Sequence, residues 1–203
     1  MKATKKSSGT RRRNNGRNDQ PRQLETNIAI RHKFRFRSTS DSAQVIGSND
    51  LCAIAGAVCT STNSTLSLIA KAAKLHRVEV WTPPPSQGAA VTCSIEWKST
   101  SYSPSLEVSD SSMSTAIPAH VVGSPPRGSE ASLWAVSGTG LDMFTLTAPI
   151  ASIIDVDITF VLNDTGSAGS TYSVASGVVG VLYYLPLDGT SDVYVPVSLN
   201  WTT

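Results

Sequence analysis

The sequence predicts an all-β fold: an eight-stranded antiparallel sandwich with short helical insertions, behind a disordered basic N-terminal arm. Three observations carry this expectation. Apolar residues recur at every second position in several runs, as in strands with one buried face. Fourteen Gly and 11 Pro punctuate those runs at short intervals, and no strand–helix–strand alternation suggests a parallel sheet. Charge is segregated. Residues 1–37 carry twelve Lys and Arg against Asp19 and Glu25, about +10, whereas the other 166 residues hold 5 basic and 13 acidic side chains, about −8. A length of 203 residues suits one sizeable domain and a tail.

The arm comprises residues 1–27. It has no aromatic residue, and Leu24 is its only large aliphatic side chain after Met1. Such a segment buries too little apolar area to offset the entropy of ordering it. The folded body is expected over 28–203. Its first strand, 29–37, alternates Arg31, Lys33, Arg35 and Arg37 with His32, Phe34 and Phe36, giving one basic and one apolar face. A short strand follows at 43–47. Asn49 or Asp50 is placed to cap a short helix reaching Ala57, and Asn63 to cap a second over 63–74, with Leu66, Ile69, Ala70 and Ala73 on one face.

Strands are predicted next at 75–82, stopped by Pro83, and at 89–98 through Val91, Cys93, Ile95 and Trp97. A strand at 106–113 leads into a long connection to about residue 140, with a helical turn at 129–136. Then come strands at 142–148, 153–163 and 173–185. In the second of these Ile154, Val156, Ile158, Phe160 and Leu162 face inward, while Asp155, Asp157, Thr159 and Asn163 face outward. The third is nearly continuously apolar, as expected for a strand buried on both faces. The residues 163–170 read as a turn and 193–199 as a last short strand or extended tail. Trp81 and Trp97 are expected in the core, and Trp201 at a contact between subunits.

Cys52, Cys59 and Cys93 are odd in number and lack metal-ligand spacing, which points to reduced, buried thiols made in a cytosolic compartment. The N-terminus lacks the apolar core of a signal peptide, and no run of 18 apolar residues would span a membrane.

The stretches LHRVEVWTPPPSQGAAVTCSIEW (75–97), SLWAVSGTGLDMFTLTAPIASIIDVDITFVLND (132–164) and VVGVLYYLPLD (178–188), following a basic arm, resemble the single jelly-roll capsid proteins of small icosahedral viruses. The resemblance covers roughly 28–203. It is closest to coats of tombusvirus-like RNA viruses and of circular Rep-encoding single-stranded DNA viruses, and it leaves the genome type open. It implies a jelly-roll shell domain; in departure from the tombusvirus coats that often carry a second, protruding domain, a shell domain only is expected here. It also implies self-assembly into an icosahedral homo-oligomer, packaging of the viral genome, and a virion location after synthesis in host cytoplasm.

The residues expected to bind nucleic acid are Lys2, Lys5, Lys6, Arg11, Arg12, Arg13, Arg17 and Arg22 in the arm and Arg31, Lys33, Arg35 and Arg37 on the first strand. Phosphate neutralisation by such side chains releases counterions, so binding is salt-dependent and largely blind to sequence. Lys5, Lys6 and Arg11–Arg13 also suit a nuclear import signal. No cofactor is required. By resemblance, Asp155 and Asp157 are candidates for calcium between subunits, completed by Glu107, Asp110, Asp142 or Asp164 of a neighbour. No enzyme is expected: His32, His76 and His120 are scattered, and no nucleophile, zinc or phosphate-loop pattern accompanies them. Two other readings stay open, a non-viral β-sandwich binding module and a nucleic-acid-binding protein that does not assemble.

Overall fold

Among the described residues, fourteen strands and two short helical segments arise where the apolar alternation runs through turn residues. The computed structural model describes residues 27–98, 105–163 and 170–197, so residues 1–26 of the arm, most of the 163–170 turn and Trp201 lie outside the described residues. The elements in chain order are β1 (Ala29–Ser38), β2 (Gln44–Gly47), α1 (Ser48–Ala53), β3 (Ala57–Ser61), β4 (Thr65–Leu68), β5 (Ala70–Trp81), β6 (Val91–Trp97) and β7 (Leu106–Ser112). After these come β8 (His120–Gly123), a 3-10 turn (Glu130–Ser132), β9 (Trp134–Val136), β10 (Asp142–Thr147), β11 (Ile153–Leu162), β12 (Thr171–Ser173), β13 (Leu182–Tyr183) and β14 (Tyr194–Pro196).

Ten of these strands build two antiparallel sheets, and eight of the ten, β1, β2, β5, β6, β7, β8, β10 and β11, form their nested framework. The first runs β14-β1-β11-β5-β8, with β9 also on β5, and the second β2-β10-β6-β7. Taken in chain order, the eight nest: β1 pairs with β11, β2 with β10, β5 with β8 and β6 with β7. A long hairpin folded at its middle has this nesting. Rolling it sideways brings β11 against β5 and β10 against β6, the two remaining pairings. Rolling also buries one face of each sheet on the other. Phe34, Phe36, Val78, Val80, Ile154, Val156 and Ile158 come from the first sheet, and Ile46, Ile95, Trp97, Phe144 and Leu146 from the second.

Small residues fit where the sheets approach. A Cβ on Gly123 of β8 would lie 3.0 Å from the Trp97 ring and 3.3 Å from Ile95 Cδ1. Gly123→Ala is therefore expected to overpack this contact and cost about 1–3 kcal/mol, read as a lower urea midpoint at unchanged slope.

Polar contacts tie the C-terminal segment to the body. The buried Asp188 carboxylate accepts the N–H groups of Val193 and Tyr194, and the Tyr194 hydroxyl donates to Leu146 O at 2.7 Å. Cys52, Cys59 and Cys93 are free and buried. Burial pushes the thiol of Cys52 up to about 12 and that of Cys93 up to about 11, which keeps both protonated.

The structure departs from sequence expectation at several elements. The predicted helix over 63–74 is instead β4 and the first part of β5. Leu66, Leu68 and Ala70 alternate as well as they repeat at helical spacing, and long-range pairing of β5 with β11 prevails over that local ambiguity. The predicted strand over 173–185 is broken: only β13 is extended within 174–185, paired to β3. Gly180 takes a φ of +82°, which turns the chain away from strand geometry.

Helix α1 is shorter than expected and begins after Gly47, whose N–H donates to the Asp50 carboxylate at 2.8 Å. Asp50 thus serves from inside the first turn, and Asn49 instead accepts the Gly138 N–H. A positive φ of 121° at Gly56 turns the chain beyond the helix toward β3. The connection between residues 113 and 140 contains β8 and β9 in addition to the expected turn. The short strands β12, β4, β3 and β13 form a third sheet beside the sandwich. Trp97 is in the core as expected, but Trp81 is half-buried on the outer face of the first sheet. No helix among the described residues is long and apolar enough to cross a membrane.

Candidate nucleic-acid interface

Strand alternation decides what the outer face of the first sheet carries. On β1, Phe34 and Phe36 point inward, so Arg31, Lys33, Arg35 and Arg37 point outward. The pairing register extends each of these cations into a row across the sheet. Arg37 stands beside Ile153, then Trp81, then His120. Arg35 stands beside Asp155, Glu79 and Val122. Lys33 stands beside Asp157 and Arg77. Arg31 stands beside Thr159, Lys74 and Trp134. These four rows set six cations against three carboxylates, leaving about +3 on the face.

The carboxylates on β11 fix the arginines. Arg31 grips Asp157 through two bonds of 3.0 and 2.6 Å, and Arg35 grips Asp155 through two of 2.7 and 2.9 Å. Lys33 Nζ lies 3.8 Å from Asp155. Hydrogen bonding to Arg31 holds the Asp157 carboxyl below its ordinary value, against a smaller opposing effect of burial. Hydrogen bonds to these carboxylates raise both arginines above their ordinary value. Arg31, Lys33 and Arg35 all keep more than half of their side-chain surface in solvent. A guanidinium has five N–H donors in a planar fork, so each paired arginine retains donors for a phosphate oxygen.

Asp155, expected to face outward, does lie on the outer face but is only 2% accessible beneath Arg35. Removing Arg35 would leave that carboxylate buried with only Lys33 nearby. Arg35→Ala is expected to cost about 1–2 kcal/mol, at the low end for a buried charge because Arg35 itself is solvated. Adding Asp155→Asn should recover part of the loss, measured by urea denaturation of the three variants and the parent.

The same geometry bears on calcium. Both carboxylates face guanidinium groups, and no three potential ligands cluster among the described residues. Calcium takes six to eight oxygens, so a site at Asp155 and Asp157 would need further ligands from a neighbouring copy. Of the partners considered, Asp110 accepts the His120 N–H at 2.8 Å, and Asp164 lies outside the described residues.

The structure brings Arg31, Lys33, Arg35 and Arg37 together on one open face. Lys2, Lys5, Lys6, Arg11, Arg12, Arg13, Arg17 and Arg22 lie outside the described residues. Sequence reasoning missed Lys74, Arg77, Trp81, His120 and Trp134 as members of the face. Lys74 was hidden by the helical reading of 63–74, and Trp134 by the reading of its surroundings as a connection.

No family model matches the chain, and no curated protein matches it in sequence. Among solved structures, the virus-like particle of giant freshwater prawn Macrobrachium rosenbergii extra small virus aligns with a TM-score of 0.43 and 10% identity. That alignment covers 72% of this chain and 86% of the other.

Proposed function

We propose that this chain is the shell subunit of a small icosahedral virus, assembling with copies of itself around nucleic acid that its basic N-terminal arm holds. One observation carries the reading. The cations of residues 1–22 continue into β1, whose basic side lies on an open face of a sandwich with nested strand pairing. That nesting supports reading the sandwich as a jelly roll, an architecture common among capsid domains. The arm and the face can therefore engage one polyanion, while the rest of the body, net negative, does not compete for it.

Exposed apolar side chains away from the basic face supply contact surface for neighbouring copies. Leu106, Met113 and Ile117 lie along β7 and the segment after it, and Val178, Val179 and Leu182 beside the third sheet. Contacts that are individually modest become strong when a closed lattice repeats them. The subunit would be made in host cytoplasm, with Lys5, Lys6 and Arg11–Arg13 available to an import receptor, and would end in the virion.

Size-exclusion chromatography and electron microscopy of the full chain test the reading. Closed particles about 20 nm or more across are expected. A monomer at every salt concentration would overturn it.

A further inference from the structure

We infer that the outer face of the first sheet is built for single-stranded nucleic acid, with Trp134 and the Trp81–His120 pair as stacking platforms for unpaired bases. The inference rests on the proposed genome-binding role and names the form of nucleic acid that this face takes. A duplex presents phosphates and hides its base faces, so cations alone would suffice for it. A single strand also offers π-faces, and proteins that bind it combine a basic track with exposed aromatic rings.

Both ingredients occur here in register. The row that begins at Arg31 ends, through Thr159 and Lys74, at Trp134. On β9, Ala135 is buried and its neighbours are exposed, so Trp134 stands on the outer face, with 44% of its surface open. The row that begins at Arg37 ends, through Ile153, at Trp81 and His120. Those two rings are nearly parallel, 7° apart in plane with centroids 5.1 Å apart. His120 is held there by Glu79 at 3.1 Å through its Nε2 and by a backbone bond from its N–H to Asp110. Its ring remains exposed, which leaves the stack open to a further planar group.

The cations have a matching arrangement. Arg31, Lys33, Arg35 and Arg37 fall at alternate residues of one strand, a repeat of about 6.6 Å. That regular step lets successive cations track a phosphate backbone laid along the strand. Arg77 lies between the two aromatic sites and Lys74 beside Trp134, so phosphates that flank a stacked base also meet a cation.

The test compares a fluorescein-labelled 20-nucleotide oligo(dT) with a 20-base-pair duplex by anisotropy on the full chain. Titrations at about 0.5 M salt weaken the arm's purely electrostatic contribution, and a series at low salt reads that contribution itself. The parent is expected to prefer the single strand. Trp134→Leu and His120→Ala should each lower single-strand affinity roughly fivefold to a hundredfold with little change for the duplex. Unchanged thermal unfolding of both variants would confirm that the surface, and not the fold, was altered. If neither substitution alters the ratio of the two affinities, or both ligands weaken equally, the stacking inference is overturned while genome binding stands. If neither nucleic acid binds even at low salt, the genome-binding reading itself fails.

Discussion

Deleting residues 1–27 is expected to cut nucleic-acid affinity at physiological salt by several orders of magnitude while leaving assembly of the body largely intact. The segment holds eight cations, Lys2, Lys5, Lys6, Arg11, Arg12, Arg13, Arg17 and Arg22, against Asp19 and Glu25. Each phosphate contact contributes about 0.7 to the slope of log affinity against log salt for a single strand. Loss of eight contacts should therefore flatten that slope by roughly 5 to 6. The contacts that remain come from Arg31, Lys33, Arg35 and Arg37, which β1 holds on the sheet independently of the deleted residues. Nucleic acid recovered from assembled particles, with particle yield measured alongside, reads the two effects separately. Unchanged packaging after deletion would refute the role given to the arm.

The second large effect belongs to the core. Phe144 on β10 is fully buried, with its ring centroid 5.4 Å from that of Trp97 on β6. Its strand is bonded on both sides, to β2 and β6, so the backbone cannot easily collapse into the space a smaller residue would leave. Phe144→Ala is expected to cost about 3–5 kcal/mol, the loss of apolar burial plus a residual cavity. That is a large fraction of the roughly 5–15 kcal/mol by which domains are stable. Thermal unfolding should show a drop of several degrees or more. A change near zero would mean that the two sheets are not packed on one another at this point. Cavity formation should act equally in an isolated subunit and in an assembly, which separates it from any effect of the arm.

The electrostatic consequence of the ion pairs differs from what charge alone suggests. A strand reading Arg-x-Lys-x-Arg-x-Arg looks like an unopposed cationic ridge. In the folded molecule its neighbour across the ladder presents Asp155 and Asp157 at matching positions, so the ridge is partly neutralised and its arginines are oriented. Orientation reduces the side-chain entropy lost when a phosphate arrives, and partial neutralisation limits repulsion between identical faces brought near one another. The arm, with two acidic residues against eight basic ones, carries the larger excess of positive charge.

By itself the sequence determined what depends on local period and on charge along the chain. The strands near β1, β2, β6, β7, β10 and β11 follow from alternation with turn residues between them, and so does the side of β1 that is basic. The arm's cationic character follows from counting. Only the tertiary structure decided the elements whose local signals were ambiguous or short. Residues 63–74 fit two periods equally well, and pairing with β3 and β11 chose the extended one. Strands β8 and β9, four and three residues long, exist because β5 offers them an edge. The face that joins Arg31 to Trp134 and Arg37 to His120 links residues about a hundred positions apart, and neighbours of that kind arise only from register across strands. Register depends on which faces are buried together, a property of the assembled sheets that no single segment encodes.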